Sequence, residues 1–475
     1  MKRQKHVHFI GIVAKAIAPI ALMMKDKGWK VTGSDEKAFE PMLSWLRENN
    51  IDWTEGFNKE SVRDADLIVL NGAMLPRDPN NPEFIEAKRL NKKIVGYPYL
   101  LKKYVVKKNS VVVTGTAGKT STTALINWIL EVAGKNPSFM IGDWPLDFPS
   151  GVRSTEGEYS CIEGDEYASA FMYDNEPKFI YYKPTHTILS KVTWDHVNLY
   201  PTEEDYIKAF IKLMKVTEDK NGTVFVSASG DHNDRVISEF SGPVVVYYVA
   251  GREKVLKEEP EYVATEIEFG KQFTKFKVLH NGEMLGIFET PLMGEHNIEN
   301  CLASIAVTQN LGIDPKTIAK ALKTTKFVKR RQQIVGTTKT KAIIMDDFAH
   351  SPIKAKATLE ALRTRYGDEK IIAVFDTFSS TLRDRNSLEW YPGVFDLADK
   401  VIIPKVPLAK DTPKDQRVTG ADIVNAISQT QPNVEYIPID DNIVKYINEN
   451  SDDNTLIVFM SSGGWRGMIE KVTAI

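Results

Sequence analysis

Short β-branched runs alternate with stretches of helical period along the whole chain. Residues 6–13 (His-Val-His-Phe-Ile-Gly-Ile-Val) form an apolar run bounded by charge and predict a strand. Residues 16–27 predict a helix, and 29–32 predict the next strand, running into Gly33-Ser34-Asp35. Signals at 67–70, 83–90 and 93–95 complete a doubly wound α/β unit of about 105 residues. The polar, basic stretch 102–109 predicts a linker.

A second alternating series opens at 111–114, a β-branched strand that runs into a glycine-rich turn and an apolar helix. Strand-like runs recur at 159–163, 187–189 and 223–226. Four alternating runs, 244–249, 262–269, 274–279 and 284–289, predict antiparallel strands appended to a parallel sheet. Residues 297–312 predict a helix. Near 327–331 the chain passes to a third alternating series at 341–346, 354–366, 371–375, 401–404 and 456–459. The expected fold is α/β with three domains. These are a Rossmann-like 1–107, a central P-loop ATPase-like 108–326 carrying the appended antiparallel strands, and a Rossmann-like 327–475.

Length and composition agree. A chain of 475 residues exceeds one ordinary core, and 42% hydrophobic with 26% charged residues suits a globular protein. Net charge of −2 supplies no basic field for nucleic acid or anionic membrane. No apolar run reaches the ~18 residues of a membrane helix. The basic N-terminus leads straight into the first strand and does not read as a signal peptide. Two cysteines, Cys161 and Cys301, read as core residues of a reducing compartment, so a cytoplasmic location is expected.

The turn Gly115-Thr116-Ala117-Gly118-Lys119-Thr120-Ser121 carries the strongest chemistry. Between a strand and a helix N-terminus, its backbone N–H groups can cradle phosphates, Lys119 adds a point charge, and Thr120 can offer its hydroxyl to Mg²⁺. Five further segments are weaker alone. Glu163-Gly164-Asp165-Glu166 ends a strand, and Glu163 reads as an Mg²⁺ ligand or as part of a solvated turn. His196, in Thr193-Trp194-Asp195-His196, reads as a metal ligand or a structural histidine. In Glu295-His296-Asn297-Ile298-Glu299-Asn300, Asn297 reads as a helix cap, or with Asn300 one turn on as a reader of an adenine edge. Lys329-Arg330-Arg331 reads as a basic linker or as a source of an arginine for a γ-phosphate. Asp346-Asp347-Phe348-Ala349-His350-Ser351-Pro352 lies at another strand end, with Pro352 also fit to open a helix after a plain turn.

In this order the motifs resemble the Mur ligases, the ATP-dependent ligases of bacterial cell-wall precursor synthesis, along essentially the whole chain. Those enzymes also use a short Gly-Thr-x-Gly-Lys-Thr/Ser loop. Within the family, residues 162–167, 346–352 and 460–464 are most similar to the murein peptide ligases, which join UDP-N-acetylmuramate to L-alanyl-γ-D-glutamyl-meso-diaminopimelate in peptidoglycan recycling. The members that add L-alanine to the same muramate are the nearest alternative, followed by a related acid–amine ligase with another acceptor. A nucleotide-binding module without catalysis is the reading from another class. It fits poorly with a chain that keeps Lys119, Thr120, Glu163, His196, Arg331 and Asp347 together.

The resemblance implies ATP and Mg²⁺ as cofactors. The substrates would be a UDP-linked sugar acid and an amino acid or short peptide, and the enzyme a monomer or homodimer. It implies that ATP phosphorylates the substrate carboxylate and that an amine displaces phosphate from the acyl phosphate. By matching motif, residues Gly115 to Ser121 would hold the nucleotide phosphates. Thr120 and Glu163 would hold one Mg²⁺, and Glu163 with His196 a second. His296, Asn297 and Asn300 would face the adenine, Arg331 and Asp347 would contact ATP, and His350 would sit at the substrate cleft. Gly11, Lys15, Ser34 and Asp35 would bind the UDP substrate in the first domain. Ser379 and Ser461 would lie near the incoming amine in the third. The chain differs from the family pattern in four places: Ala117 in the loop, the single glycine in 11–16, Gln332 after the arginine pair, and Asp376-Thr377-Phe378 where Glu-Pro-Arg is usual. Lys15 could replace amide contacts by charge, and Arg383 and Arg385 could replace the missing arginine.

Overall fold

The computed structural model describes residues 3–38, 40, 42–194, 199–378, 380–408, 413 and 416–473. Two compact units emerge. One comprises Met1–Glu266, Phe276–Glu289 and Glu299–Phe327, and the other Ile267–Lys275, Thr290–Ile298 and Val328–Ile475.

The first unit opens with strands β1 (His6–Ile10), β2 (Lys30–Asp35), β3 (Asp52–Glu55), β4 (Leu67–Leu70) and β5 (Ile94–Gly96). They form a parallel sheet in the order β3-β2-β1-β4-β5. All five residues of β1 are buried, as befits a central parallel strand covered on both faces. Helix Tyr97–Tyr104 continues the core through Leu100 and Leu101. Part of the expected 102–109 linker is therefore helix, and strand β6 (Asn109–Thr114) begins where the linker was expected to end.

Strand β6 is central in the second sheet. Around it run β7 (Ser138–Met140), β8 (Val152–Arg153), β9 (Tyr159–Glu163), β12 (His186–Leu189), β13 (Thr223–Ser227), β14 (Val244–Val249), β15 (Tyr262–Phe269), β16 (Thr274–His280) and β17 (Glu283–Thr290), while β10 (Ala168–Ala170) and β11 (Asp174–Pro177) form a separate hairpin. The order is β17-β16-β15-β14-β13-β12-β6-β9-β7-β8. Strand β14 was expected to be antiparallel, but it runs parallel to both β13 and β15. The segments before and after it are long enough to return the chain to the same end. The chain reverses later, over residues 270–273 between β15 and β16 and again at Asn281 (φ 51) and Gly282 (φ 79) between β16 and β17. Two consecutive residues of positive φ are the requirement of a two-residue hairpin. Both cysteines are buried and neither forms a disulfide, with Cys161 lying in β9 opposite Val111 and Phe139.

The second unit is built on β18 (Gln333–Thr337), β19 (Ile343–Asp347), β20 (Lys370–Phe375), β21 (Lys400–Ile403), β22 (Val434–Tyr436) and β23 (Thr455–Met460), in the order β18-β19-β23-β20-β21-β22. Only β18 is antiparallel to its neighbour. Asp347 and Phe375 both pair with Met460, so the carboxyl ends of β19, β23 and β20 form one edge.

Candidate active site

The phosphate loop joins β6 to helix Lys119–Val132. Gly115 has φ +121, and a Cβ there would lie 2.2 Å from Ser190 Oγ. Gly118 has φ +82, and a Cβ there would lie 2.4 Å from Asn300 Oδ1. Only glycine satisfies both the backbone and the space. The Thr116 N–H donates to the Lys191 carbonyl at 2.7 Å, and Ser190 Oγ donates to the Ala117 carbonyl at 2.6 Å. These bonds fix the turn from the side of β12. Ala117 is exposed, and Ser121 is half-buried in the first helical turn.

Lys119 Nζ donates to the Gly115 carbonyl at 2.7 Å and pairs with Glu166 Oε2 at 3.1 Å. The Glu166 side chain is wholly buried. Thr120 Oγ1 donates to Glu163 Oε1 at 2.9 Å, and the Gly142 N–H donates to Glu163 Oε2 at 2.7 Å. Burial, then the neighbouring Asp165, push the Glu163 carboxyl up to about 7 against these donors and the Lys119 charge. The strand end thus brings together an ammonium, a hydroxyl and a buried carboxyl group. A hard cation that takes oxygen ligands fits Thr120 and Glu163. Among the described residues no cluster of three acidic, histidine or cysteine side chains forms a metal centre. His196 lies outside the described residues, as does Ser379.

Asn300 meets the phosphate loop itself. Its Oδ1 accepts from Thr122 Oγ1 at 3.2 Å, beside Gly118. On the same helix, Asn297 is buried and donates to the Met293 carbonyl at 2.8 Å, while His296 is exposed.

The N-terminal turn departs more from expectation. Gly11 has φ +85, and a Cβ there would lie 2.7 Å from Asn71 Cβ, so this one glycine is required by packing. The Val13 N–H donates to Asp35 Oδ2 at 2.8 Å, and burial raises the Asp35 carboxyl. Exposed Lys15 reaches Asp143 Oδ1 at 3.3 Å. Ser34, expected to face substrate, is wholly buried and donates to Glu83 Oε2 at 2.5 Å. Side chains alternate along a strand, so Ser34 shares the face of Thr32, where His6 and His8 bond the Thr32 hydroxyl at 2.8 Å.

In the second unit, Arg330 Nη2 donates to the Ser461 carbonyl at 2.6 Å and Arg330 Nε lies 3.1 Å from Asp346 Oδ2. The Arg331 guanidinium stacks 5.3 Å from the Phe348 ring centroid, and its Nε is buried without a hydrogen-bond partner. Asp347 is buried. Its Oδ1 accepts from the Ala349 N–H at 2.7 Å and from Thr358 Oγ1 at 3.2 Å, and its Oδ2 accepts from the Gln332 N–H at 2.7 Å. Gln332 (φ 51) and Arg330 (φ 59) both sit in the left-handed region, and Asp347 clamps that turn. His350 Nδ1 lies 2.8 Å from the Phe348 carbonyl, which can only accept, so Nδ1 carries the proton. Burial and Lys354 lower its pKa, keeping the ring neutral at pH 7. Ser461, expected beside the amine, is wholly buried, donates to Asp376 Oδ2 at 3.1 Å and accepts from the Gly463 N–H at 2.8 Å. Arg385 pairs with Asp422 Oδ1 at 3.2 Å, and Arg383 Nε is buried without a partner.

Sequence reasoning missed Glu166 as the partner of Lys119 and Gly142 as a donor to Glu163. Glu166 stood in the acidic run, but three residues past a strand end no spacing rule aims it at the lysine.

Three family models match the chain: Mur ligase family, catalytic domain, at 6–108; Mur ligase middle domain at 113–308; and Mur ligase, glutamate ligase domain, at 330–463. The chain is 30% identical over 469 residues to the UDP-N-acetylmuramate–L-alanine ligase of Caldanaerobacter subterraneus, covering 98% of this chain and 96% of that one. It is 28% identical over 471 residues to the UDP-N-acetylmuramate–L-alanyl-γ-D-glutamyl-meso-2,6-diaminoheptandioate ligase of Haemophilus influenzae, covering 98% of each. The fold matches the crystal structure of UDP-N-acetylmuramate-alanine ligase from Thermotoga maritima with a TM-score of 0.78 at 22% identity, over 99% of this chain and 97% of that one. The phosphate loop, the acidic strand end and these matches along the full length agree: the chain belongs to the Mur ligase family of ATP-dependent, amide-bond-forming ligases of peptidoglycan synthesis.

Proposed function

We propose that the chain joins the carboxylate of UDP-N-acetylmuramate to the amine of L-alanyl-γ-D-glutamyl-meso-diaminopimelate. The ATP half of this reading is carried by the loop at Gly115–Ser121, where Lys119 bonds the Gly115 carbonyl and Glu166 and the adjacent Thr120 donates to Glu163. A carboxylate is a poor electrophile until one of its oxygens becomes a leaving group. The substrate oxygen attacks the γ-phosphorus and ADP departs; the amine then attacks the acyl carbonyl and phosphate departs. The protein's part is positioning and charge neutralisation.

Lys119 is assigned to the β- and γ-phosphates, exchanging Glu166 for the nucleotide. Thr120, Glu163 and His196 would hold Mg²⁺, which supplies charge neutralisation at the phosphates when bound. Arg331 and Asp347 are assigned to the nucleotide, Asp347 by fixing the turn that carries Arg331. Neutral His350 is assigned to the substrate side, where its unprotonated nitrogen can accept a proton. Gly11, Lys15 and Asp35 are assigned to the sugar nucleotide. The division at 107 and 326 is kept as the functional one, in a cytoplasmic enzyme.

The acceptor reading rests on the segments 162–167, 346–352 and 460–464. A second reading, L-alanine as acceptor, is favoured by the relative of that activity at 30% identity across 98% of this chain. ADP release with ATP, Mg²⁺ and UDP-N-acetylmuramate separates the two. Turnover with the tripeptide alone supports the first, and turnover with L-alanine replaces it by the second. No turnover with either refutes both acceptors.

A further inference from the structure

We propose that Asp143 is a positioning residue that couples the N-terminal turn to the phosphate loop, so that binding of a nucleoside diphosphate at the turn tightens binding of metal–nucleotide at the loop. This rests on the assignment of residues 11–16 to the sugar nucleotide. Lys15, on that turn, pairs with Asp143 at 3.3 Å across 128 residues of sequence. The next residue back, Gly142, is pressed against Glu163: its N–H donates to Oε2 at 2.7 Å, and a Cβ on it would lie 2.6 Å from that oxygen. The other Glu163 oxygen accepts from Thr120 at 2.9 Å. Both carboxylate oxygens are therefore taken by the protein, one of them by the residue next to Asp143, the partner of Lys15.

The Lys15–Asp143 pair is partly exposed and weakly held, with the Lys15 side chain 41% accessible. A diphosphate offers Lys15 more charge than one carboxylate. Once Lys15 turns to it, the 142–143 loop loses an anchor and releases Oε2 for the cation that accompanies ATP. Linkage makes the effect reciprocal.

The test is the dissociation constant of a non-hydrolysable ATP analogue with Mg²⁺, measured by calorimetry with and without saturating UDP. The native chain is expected to gain at least about fivefold in affinity with UDP, the lower end of ordinary coupling. Asp143→Asn and Lys15→Met are each expected to bind the analogue, without UDP, as tightly as the native chain does with it. UDP is expected to add nothing further. A purely structural role predicts weaker binding in both variants. Thermal melting confirms that each folds. If UDP binds the native chain but changes analogue affinity equally in native and Asp143→Asn, the coupling is overturned and the turn assignment stands. If UDP does not bind the native chain, the turn assignment falls and the coupling falls with it.

Discussion

Replacing Gly118 by alanine isolates what the phosphate loop demands of its backbone. Gly118 has φ +82, and its missing Cβ would lie 2.4 Å from Asn300 Oδ1. Two costs add. Holding an alanine in the left-handed region costs about 1–2 kcal/mol. Moving the Asn300 amide strips the acceptor from the buried Thr122 hydroxyl, now bonded at 3.2 Å, at about 1–3 kcal/mol. The sum is about 2–5 kcal/mol, read by urea unfolding as a lowered midpoint at constant slope. Asn300→Ala separates the two parts. In that background there is no amide to displace, and Gly118→Ala is expected to cost only the backbone share, about 1–2 kcal/mol. A Gly118→Ala variant within about 0.5 kcal/mol of the native chain, the scatter of neutral surface changes, would refute the claim that glycine is required here. Equal costs in both backgrounds would refute the Asn300 contact.

Three other outcomes follow from the geometry. Lys119→Ala is expected to lower kcat at least about 100-fold, the scale for removing one preorganised charge contact, with the fold checked by circular dichroism; near-normal turnover would sink the phosphate assignment. Glu163 is pushed up to about 7 from 4.5, so between those values the native chain holds a proton that the unfolded chain has released. Its contribution to stability without ligand therefore falls as pH rises from about 4.5 to about 7, and Glu163→Gln should flatten that part of the urea-midpoint profile; an unchanged profile contradicts the assignment. Glu83→Ala, which strips Ser34 and His8 of a buried hydrogen-bond partner, should destabilise by about 1–3 kcal/mol, whereas Ser34→Ala should leave the KM for the sugar nucleotide unchanged. A raised KM in Ser34→Ala would instead place Ser34 at the substrate site.

The phosphate loop was legible because its glycine spacing, its strand and its helix are local facts. The parallel cores were legible for the same reason, since fully apolar runs such as 111–113 and 371–375 need cover on both faces. Strand direction at β14 was not, because direction is set by the length and path of the connections and leaves no mark within the strand. The hydrogen-bond partners of Ser34 and Ser461 were hidden in another way. Each sits at the end of a parallel strand, where ligands gather, yet each points its hydroxyl at a buried carboxylate, of Glu83 and of Asp376. Thr32 and Ser34 being two apart could have given the first away; nothing local marks the second. The order of charges at 329–331 likewise does not say which arginine meets Asp346, a choice made by the left-handed backbone at Arg330.

Cys161 gives this molecule a chemical clock. It lies in β9 two residues before Glu163, fully buried between β6 and β7, and burial pushes its thiol well above its ordinary value. A thiol reagent can reach it only after its cover on the sheet face, which includes Thr123 of the helix that follows the loop, has opened, so the rate of modification reports how often the core beside Glu163 breathes open. A ligand that engages the loop should slow that clock, giving occupancy of the site a readout that needs neither turnover nor a second substrate.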